Sequence, residues 1–97
     1  MQFVKASEVF KNIRNLYNSE FESANDIMLD FSNIDNIDFK GISALLDIQK
    51  VALMNHKSVT LSNVAPSVRN ILDITGLNKT FSKIVTDPVS RKRSYDS

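Results

Sequence analysis

The residues that could carry out chemistry are few in this sequence, which has one histidine, no cysteine and scattered carboxylates and serines. Asp35 and Asp38, in the stretch DNID, are close enough along the chain to act as a general acid and base. Aspartates in turns, however, mostly cap helices or bond to their own backbone. The serines have only His56 as a potential base, so no nucleophile–base arrangement is indicated. We therefore predict that the protein is not an enzyme.

Metal and cofactor sites are not predicted either. A single histidine cannot build a zinc site without cysteines, and His56 lies in the polar stretch MNHKS, which is typical of a solvated loop. The glycines of phosphate-binding loops are closely spaced, whereas the two glycines here, Gly41 and Gly76, are far apart. The residues themselves thus indicate neither a dinucleotide nor a P-loop nucleotide site.

Composition points to one ordinary globular domain. The chain has 97 residues, 42% of them apolar and 24% charged, and a net charge of +1. That charge gives no overall attraction to nucleic acid. The three charges of the basic run 91–93 give only weak binding and no recognition helix accompanies them, so no specific nucleic-acid binding is predicted. No apolar run approaches the roughly 18 residues of a membrane span, and the N-terminus lacks a signal-peptide pattern. We expect a cytoplasmic protein.

The first half of the chain reads as a helix and then a strand. Ser7 is a plausible N-cap, and helical spacing predicts an inner face of Val9, Phe10, Ile13, Leu16 and Tyr17. The apolar run DIMLDF, residues 26–31, predicts a strand buried on both faces. QFVK, residues 2–5, has room for at most one short strand.

A second helix is predicted from about Phe39 to Met54, with Asp38 as its N-cap. Its apolar cover is broad, which indicates deep packing. The predicted inner stripe is Ile42, Leu45, Leu46, Gln49, Ala52 and Leu53, with Ile48 and Val51 beside it.

Strands and a helix are also predicted to alternate in the second half of the chain. SVTL, residues 58–61, predicts a strand, and Pro66 predicts the first position of a third helix that Gly76 ends. The predicted inner face of that helix is Val68, Ile71, Leu72 and Thr75. FSKIV, residues 81–85, is a further candidate strand. The order indicates an α/β domain over residues 1–86 with right-handed parallel crossovers, followed by a polar tail, 87–97, that we expect to be flexible.

Three stretches resemble the STAS family, the sulphate transporter and anti-sigma factor antagonist domain. They are DIMLDFSNIDNIDFKGISALL, SVTLSNVAPSVRNIL and DITGLNKTF, in the order and spacing of that family. The resemblance implies a small α/β fold with a mostly parallel sheet of three or four strands and helices packed against it. STAS domains usually carry two strands before the first helix, and we expect a reduced sheet with a bare edge here. A homodimer could form through that edge.

The antagonist branch of the family carries an aspartate, a hydroxyl residue, a phosphorylatable serine and a glycine where the second helix begins. This chain has Asp38, Phe39, Lys40 and Gly41 there, so Lys40 occupies the phosphoacceptor position and no phosphosite is predicted. Ser43 lies one turn further and is expected to be an ordinary helix residue. The resemblance implies that these five residues contact a partner. Lys40 is either simply solvated or faces that partner, and Phe39 is either core or an exposed anchor.

What the resemblance implies is a non-catalytic protein-interaction module in bacterial partner switching and transcription regulation, similar to an anti-sigma factor antagonist but without serine control. The expected partner resembles a GHKL-type anti-sigma kinase. Two other functions remain open: an accessory subunit of a lipid-trafficking ABC transporter, and a self-associating scaffold.

Overall fold

Strands and helices alternate along residues 1–86, the part of the chain that the computed structural model describes. Two short 3-10 turns, Ile13–Leu16 and Leu77–Lys79, follow the first and third helices. The elements are β1 (Gln2–Lys5), α1 (Ala6–Lys11), β2 (Asp26–Asp30), α2 (Phe39–Met54), β3 (Ser58–Val64), α3 (Pro66–Thr75) and β4 (Lys83–Thr86). The predicted tail, 87–97, lies outside the described residues.

The four strands form one sheet in the order β1-β2-β3-β4, and all neighbours are parallel. Because each strand pairs with the next one along the chain, right-handed crossovers place every connecting helix on the same face of the sheet. The predicted α/β class and the small parallel sheet are confirmed. β1 and β4 are the edge strands.

Burial alternates along the strands and marks the covered face. Ile27, Leu29 and Leu61 are fully buried, and the register aligns Leu29 with Leu61. On the other face Phe3 is 64% exposed and its neighbour Met28 is only half-buried. The strand predicted at 26–31 is therefore confirmed. The prediction that it is buried on both faces was wrong, because the helices cover only one face of the sheet.

Helix α1 is shorter than the apolar spacing predicted. It begins at Ala6, after Lys5, so Ser7 is not its N-cap, and it ends at Lys11 because Asn12 is extended. The Asn12 side chain accepts a hydrogen bond from the Arg14 N–H and starts the 3-10 turn. That turn keeps Leu16 buried.

Tyr17, predicted on the inner face of the first helix, is half exposed. The 3-10 turn rotates the chain after Asn12, so helical spacing no longer sets the direction of the Tyr17 side chain. Its ring lies 4.7 Å from that of Phe21, centroid to centroid.

Helix α2 begins and ends where the sequence predicted, but its inner face differs. Its buried residues are Gly41, Leu45, Ile48 and Ala52. Leu46 and Leu53, predicted to face inward, are 50% and 65% exposed. Apolar residues surround most of this helix, and only one side of it can meet the sheet.

The C-terminal half follows its sequence signals closely. Pro66 starts α3, and Gly76 ends it in the left-handed conformation, with φ at 81°.

Two details of this half differ from the prediction. Thr75, predicted to face inward, is exposed and donates its hydroxyl hydrogen to the Ile71 carbonyl. β3 runs three residues beyond the predicted SVTL and contains an irregularity near Asn63, which has a φ of 54°.

Candidate functional site

The loop from β2 to α2 is held by short-range hydrogen bonds. The Asn36 side chain accepts a bond of 2.9 Å from the Ile37 N–H. The Ser67 hydroxyl donates to the Asp35 carbonyl at 2.7 Å and ties the loop to the start of α3. This stretch therefore presents the beginning of α2 in one defined position.

Asp38 caps helix α2, as its position in the sequence predicted. Its Oδ1 accepts a hydrogen bond of 3.0 Å from the Gly41 N–H, and its carbonyl accepts the Ile42 N–H at 3.0 Å. Both interactions satisfy backbone donors that otherwise have no partner within a helix. The Asp38 carboxylate, which was considered above as a general acid or base, therefore acts as a helix cap.

Gly41 is required by a close approach of the loop. A Cβ placed on it would lie 2.6 Å from Cγ1 of Ile37 and 3.6 Å from Cε2 of Phe10. Ile37 is buried, so its side chain packs directly on the helix backbone. The glycine at this helix start is thereby explained by packing, without a bound phosphate.

Phe39 and Lys40 project from the first turn of α2 into solvent. Phe39 is 80% exposed, which places it at the surface and not in the core. Lys40 is also exposed, and neither of the two ion pairs found within residues 1–86 includes it. The start of α2 therefore presents an aromatic ring and a cation on neighbouring residues of a turn that the Asp38 cap and the packing of Ile37 on Gly41 hold in place.

A cavity of about 220 Å³ lies beneath this turn. It is lined by Phe10, Asn36, Ile37, Asp38, Lys40 and Gly41. An adjoining groove of about 310 Å³ runs between α1 and α2, where Lys40, Ser43 and Asp47 form part of its wall. The two spaces share Phe10 and Lys40, and their modest size suits a partner's side chain better than a cofactor.

Phe10 is the site residue that the sequence did not reveal. Helical spacing assigned it to the inner face of α1, and its ring does meet that of Phe31 edge-on, with centroids 5.8 Å apart. Its half-buried position also lets it line the cavity. No local motif distinguishes a residue with this double role from ordinary core.

Asp30 ends β2 at the carboxyl edge of the sheet, where the loop to the candidate site begins. Burial by itself would raise the pKa of its carboxyl, but hydrogen bonds from Asn63 and Ser32 and the positive charge of Lys5 lower the pKa below its ordinary value. The Asn63 amide lies 2.9 Å from Oδ1, and the Ser32 hydroxyl lies 2.9 Å from Oδ2. The charged form of Asp30 thus stabilises the base of this loop.

Other chemistry finds little support in the described part of the chain. Residues 1–86 contain no group of three or more histidine, cysteine or acidic side chains that could hold a metal ion. His56 is exposed in a turn with a φ of 56°. Over the same residues, no helix combines the length and apolarity needed to cross a bilayer.

A sequential parallel sheet, helices on one face and a capped start of the second helix together define a small α/β domain. A family model described as Mlab, STAS domain, matches residues 6–86. The chain belongs to the STAS domain family. The resemblance seen in the sequence is confirmed, and membership supports a role in binding another protein.

Proposed function

We propose that this protein is a non-catalytic interaction module whose partner contacts the start of helix α2. The contact comprises Asp38, Phe39, Lys40, Gly41 and Ser43. The observation that carries the proposal is the exposure of Phe39 and Lys40 on a turn that Asp38 and Gly41 hold in place.

The physical chemistry of this turn suits binding. Large aromatic side chains supply much of the energy of protein interfaces, and an exposed one on a rigid element loses little conformational entropy on binding. Lys40 adds a positive charge that would steer an acidic surface toward the turn. The cavity beneath could accept one partner side chain beside Phe10.

Lys40 also bears on regulation. Phosphorylation of a serine at this position would add about 1.5 to 2 negative charges to the contact, whereas lysine keeps a positive charge and accepts no phosphate there. The module would therefore bind its partner constitutively. In the first candidate role, it resembles an anti-sigma factor antagonist that acts on a GHKL-type kinase without serine control.

A second candidate role is favoured by the same lysine. A permanent subunit of a complex needs a contact surface but no switch, which suits an accessory subunit of a lipid-trafficking ABC transporter. The matching family model carries the description Mlab and not that of an anti-sigma antagonist, which agrees with a role outside phosphorylation control. Both roles use the same face of the domain and place the protein in the cytoplasm.

A third role is self-association as a scaffold. β1 is an edge strand of four residues, and its outer edge is a candidate contact for a second copy.

The test uses the full chain with an affinity tag as bait in lysate of the native cell. Wild type, Lys40→Glu and Lys79→Glu are compared by quantitative mass spectrometry. Lys79 is the matched control because it is an exposed lysine in the 3-10 turn after α3. Each protein that wild type captures is then purified, and its Kd for wild type and for the two variants is measured by calorimetry.

We expect Lys40→Glu to raise the Kd at least tenfold and Lys79→Glu to change it less than twofold. A GHKL-fold kinase as the captured protein would support the antagonist-like role, and an ABC ATPase would support the subunit role. Equal Kd values for wild type and Lys40→Glu would remove Lys40 from the contact and contradict the proposal.

A further inference from the structure

A row of exposed apolar side chains runs the length of helix α2. Phe39, Leu46 and Leu53 follow one another at intervals of seven residues and are all exposed. Seven residues make almost two turns of an α-helix, so the three side chains lie nearly in line. We call these three residues the α2 stripe.

The opposite side of the same helix is fully occupied. Leu45, Ile48 and Ala52 are completely buried against the sheet. A surface helix normally carries polar residues on the side away from the core, and one that is apolar on both sides is usually covered on both. Three large exposed apolar side chains in a row on one helix are a candidate interaction surface.

We propose that the α2 stripe is the contact of a second copy of this chain, with the two α2 helices packed antiparallel about a twofold axis at Leu46. The spacing is self-complementary for this arrangement. Leu46 lies midway between the other two members, so Leu46 meets its own copy while Phe39 meets Leu53 of the second molecule. Reciprocal contacts of this kind define a twofold interface.

The charges beside the stripe also fit a second copy. Lys50 is exposed between Leu46 and Leu53, and Asp47 is exposed next to Leu46. Helical side chains lean toward the N-terminus of their own helix. In an antiparallel pair the Lys50 of one copy therefore leans toward the Asp47 of the other, and symmetry forms this pair twice.

The small area of the contact indicates a weak dimer. A helix of 16 residues is about 24 Å long and about 12 Å wide, which gives a footprint well below the roughly 800 Å² per partner of a stable complex. The dimer should therefore be weak and form at high micromolar concentration. Phe39 also belongs to the proposed partner contact, so a tighter partner would displace the second copy.

Sedimentation equilibrium of the full chain alone, from about 10 µM to about 1 mM, tests the proposal over the range of a weak complex. Wild type should shift from monomer to dimer within this range. Leu53→Asp should raise the dissociation constant at least tenfold, whereas Ile74→Asp should leave it unchanged. Ile74 is the matched control because it is 76% exposed and lies on α3. Far-UV circular dichroism verifies that each variant is folded.

A charge exchange tests the antiparallel register. Lys50→Asp should weaken the dimer because it faces Asp47 of the second copy, and adding Asp47→Lys should restore it. The proposal is overturned if wild type is still monomeric at the highest concentration, about 1 mM. It is also overturned if Leu53→Asp dimerises as wild type does, since a dimer formed through a sheet edge would behave that way. These measurements involve no other protein, so their outcome is independent of whether a partner binds Lys40.

Discussion

Ile37 packs against the backbone of Gly41 so closely that any side chain at position 41 would meet it. The distance from the position of a Cβ on Gly41 to Cγ1 of Ile37 is 2.6 Å, which is shorter than real Cβ contacts. The loop before α2 and the first turn of that helix are consequently locked together. This packing fixes the direction in which Phe39 and Lys40 leave the turn.

Gly41→Ala should destabilise the protein. Alanine favours the helix by up to about 1 kcal/mol, but overpacking costs about 1 to 3 kcal/mol, so we expect a net loss of about 1 kcal/mol. Urea denaturation measures this free energy of unfolding.

A double-mutant cycle with Ile37→Ala identifies the cause. That substitution removes the atoms that the new Cβ would meet, so in its presence Gly41→Ala should no longer destabilise. An equal loss in both backgrounds would show that the Ile37 contact does not explain the glycine.

Asp38→Ala should lower the free energy of unfolding by about 1 kcal/mol, because the Gly41 N–H loses its acceptor at the start of α2. Asp38→Asn is the matched control, since its side-chain oxygen can still accept that hydrogen bond. Thermal unfolding of the two variants distinguishes a cap from a charge effect. If Asn proves as costly as Ala, the carboxylate contributes through its charge and not as a cap.

Asp30 should make stability depend on pH in acid. Its pKa is lower in the folded protein than its ordinary value of 3.8, so the folded state favours the charged carboxylate. The resulting stabilisation is present above the unfolded pKa and is lost as the pH falls through the folded pKa. Asp30→Asn should flatten the dependence of unfolding free energy on pH below about 4.

The Asn63 amide is one cause of this shift and can be removed separately. Asn63→Gly tolerates the positive φ of 54° and deletes the hydrogen bond to Asp30. NMR titration of the Asp30 carboxyl should then give a higher pKa than in wild type. An unchanged pKa would assign the shift to Ser32 and Lys5 alone.

Phe39→Ala should separate binding from stability. Because the ring is mostly solvated, its loss should change the free energy of unfolding by less than about 0.5 kcal/mol. The same variant should weaken the partner complex at least tenfold if the ring is an anchor of the interface. Phe31→Ala provides the contrast, since that ring is fully buried and its loss should cost about 3 to 5 kcal/mol.

The ends of α2 and α3 could be predicted because they depend on local chemistry. Asp38, Pro66 and Gly76 act within one turn of the chain, and each does in the structure what its residue type favours. Ser7 failed as a cap because the chain enters α1 directly from β1 at Lys5. That junction depends on the pairing of β1 with β2, which no local pattern contains.

Which apolar side chains point toward the core was harder to predict, because α2 has more apolar residues than the sheet can cover. Leu46 and Leu53 are as apolar as Leu45, and only the placement of the sheet decides which of them is covered. For the same reason the sequence predicted Asp38 and the neighbouring turn but missed Phe10, whose contribution to the cavity depends on how α1 lies against α2.

The strand order described above has a consequence for how the chain matures on the ribosome. Every strand after β1 pairs with its immediate predecessor, so its pairing partner has already been synthesised when it emerges. Each parallel pairing still closes a loop that contains a whole crossover, so the sheet should form more slowly than its helices. Folding during synthesis therefore never requires a later strand to insert between two strands that have already paired.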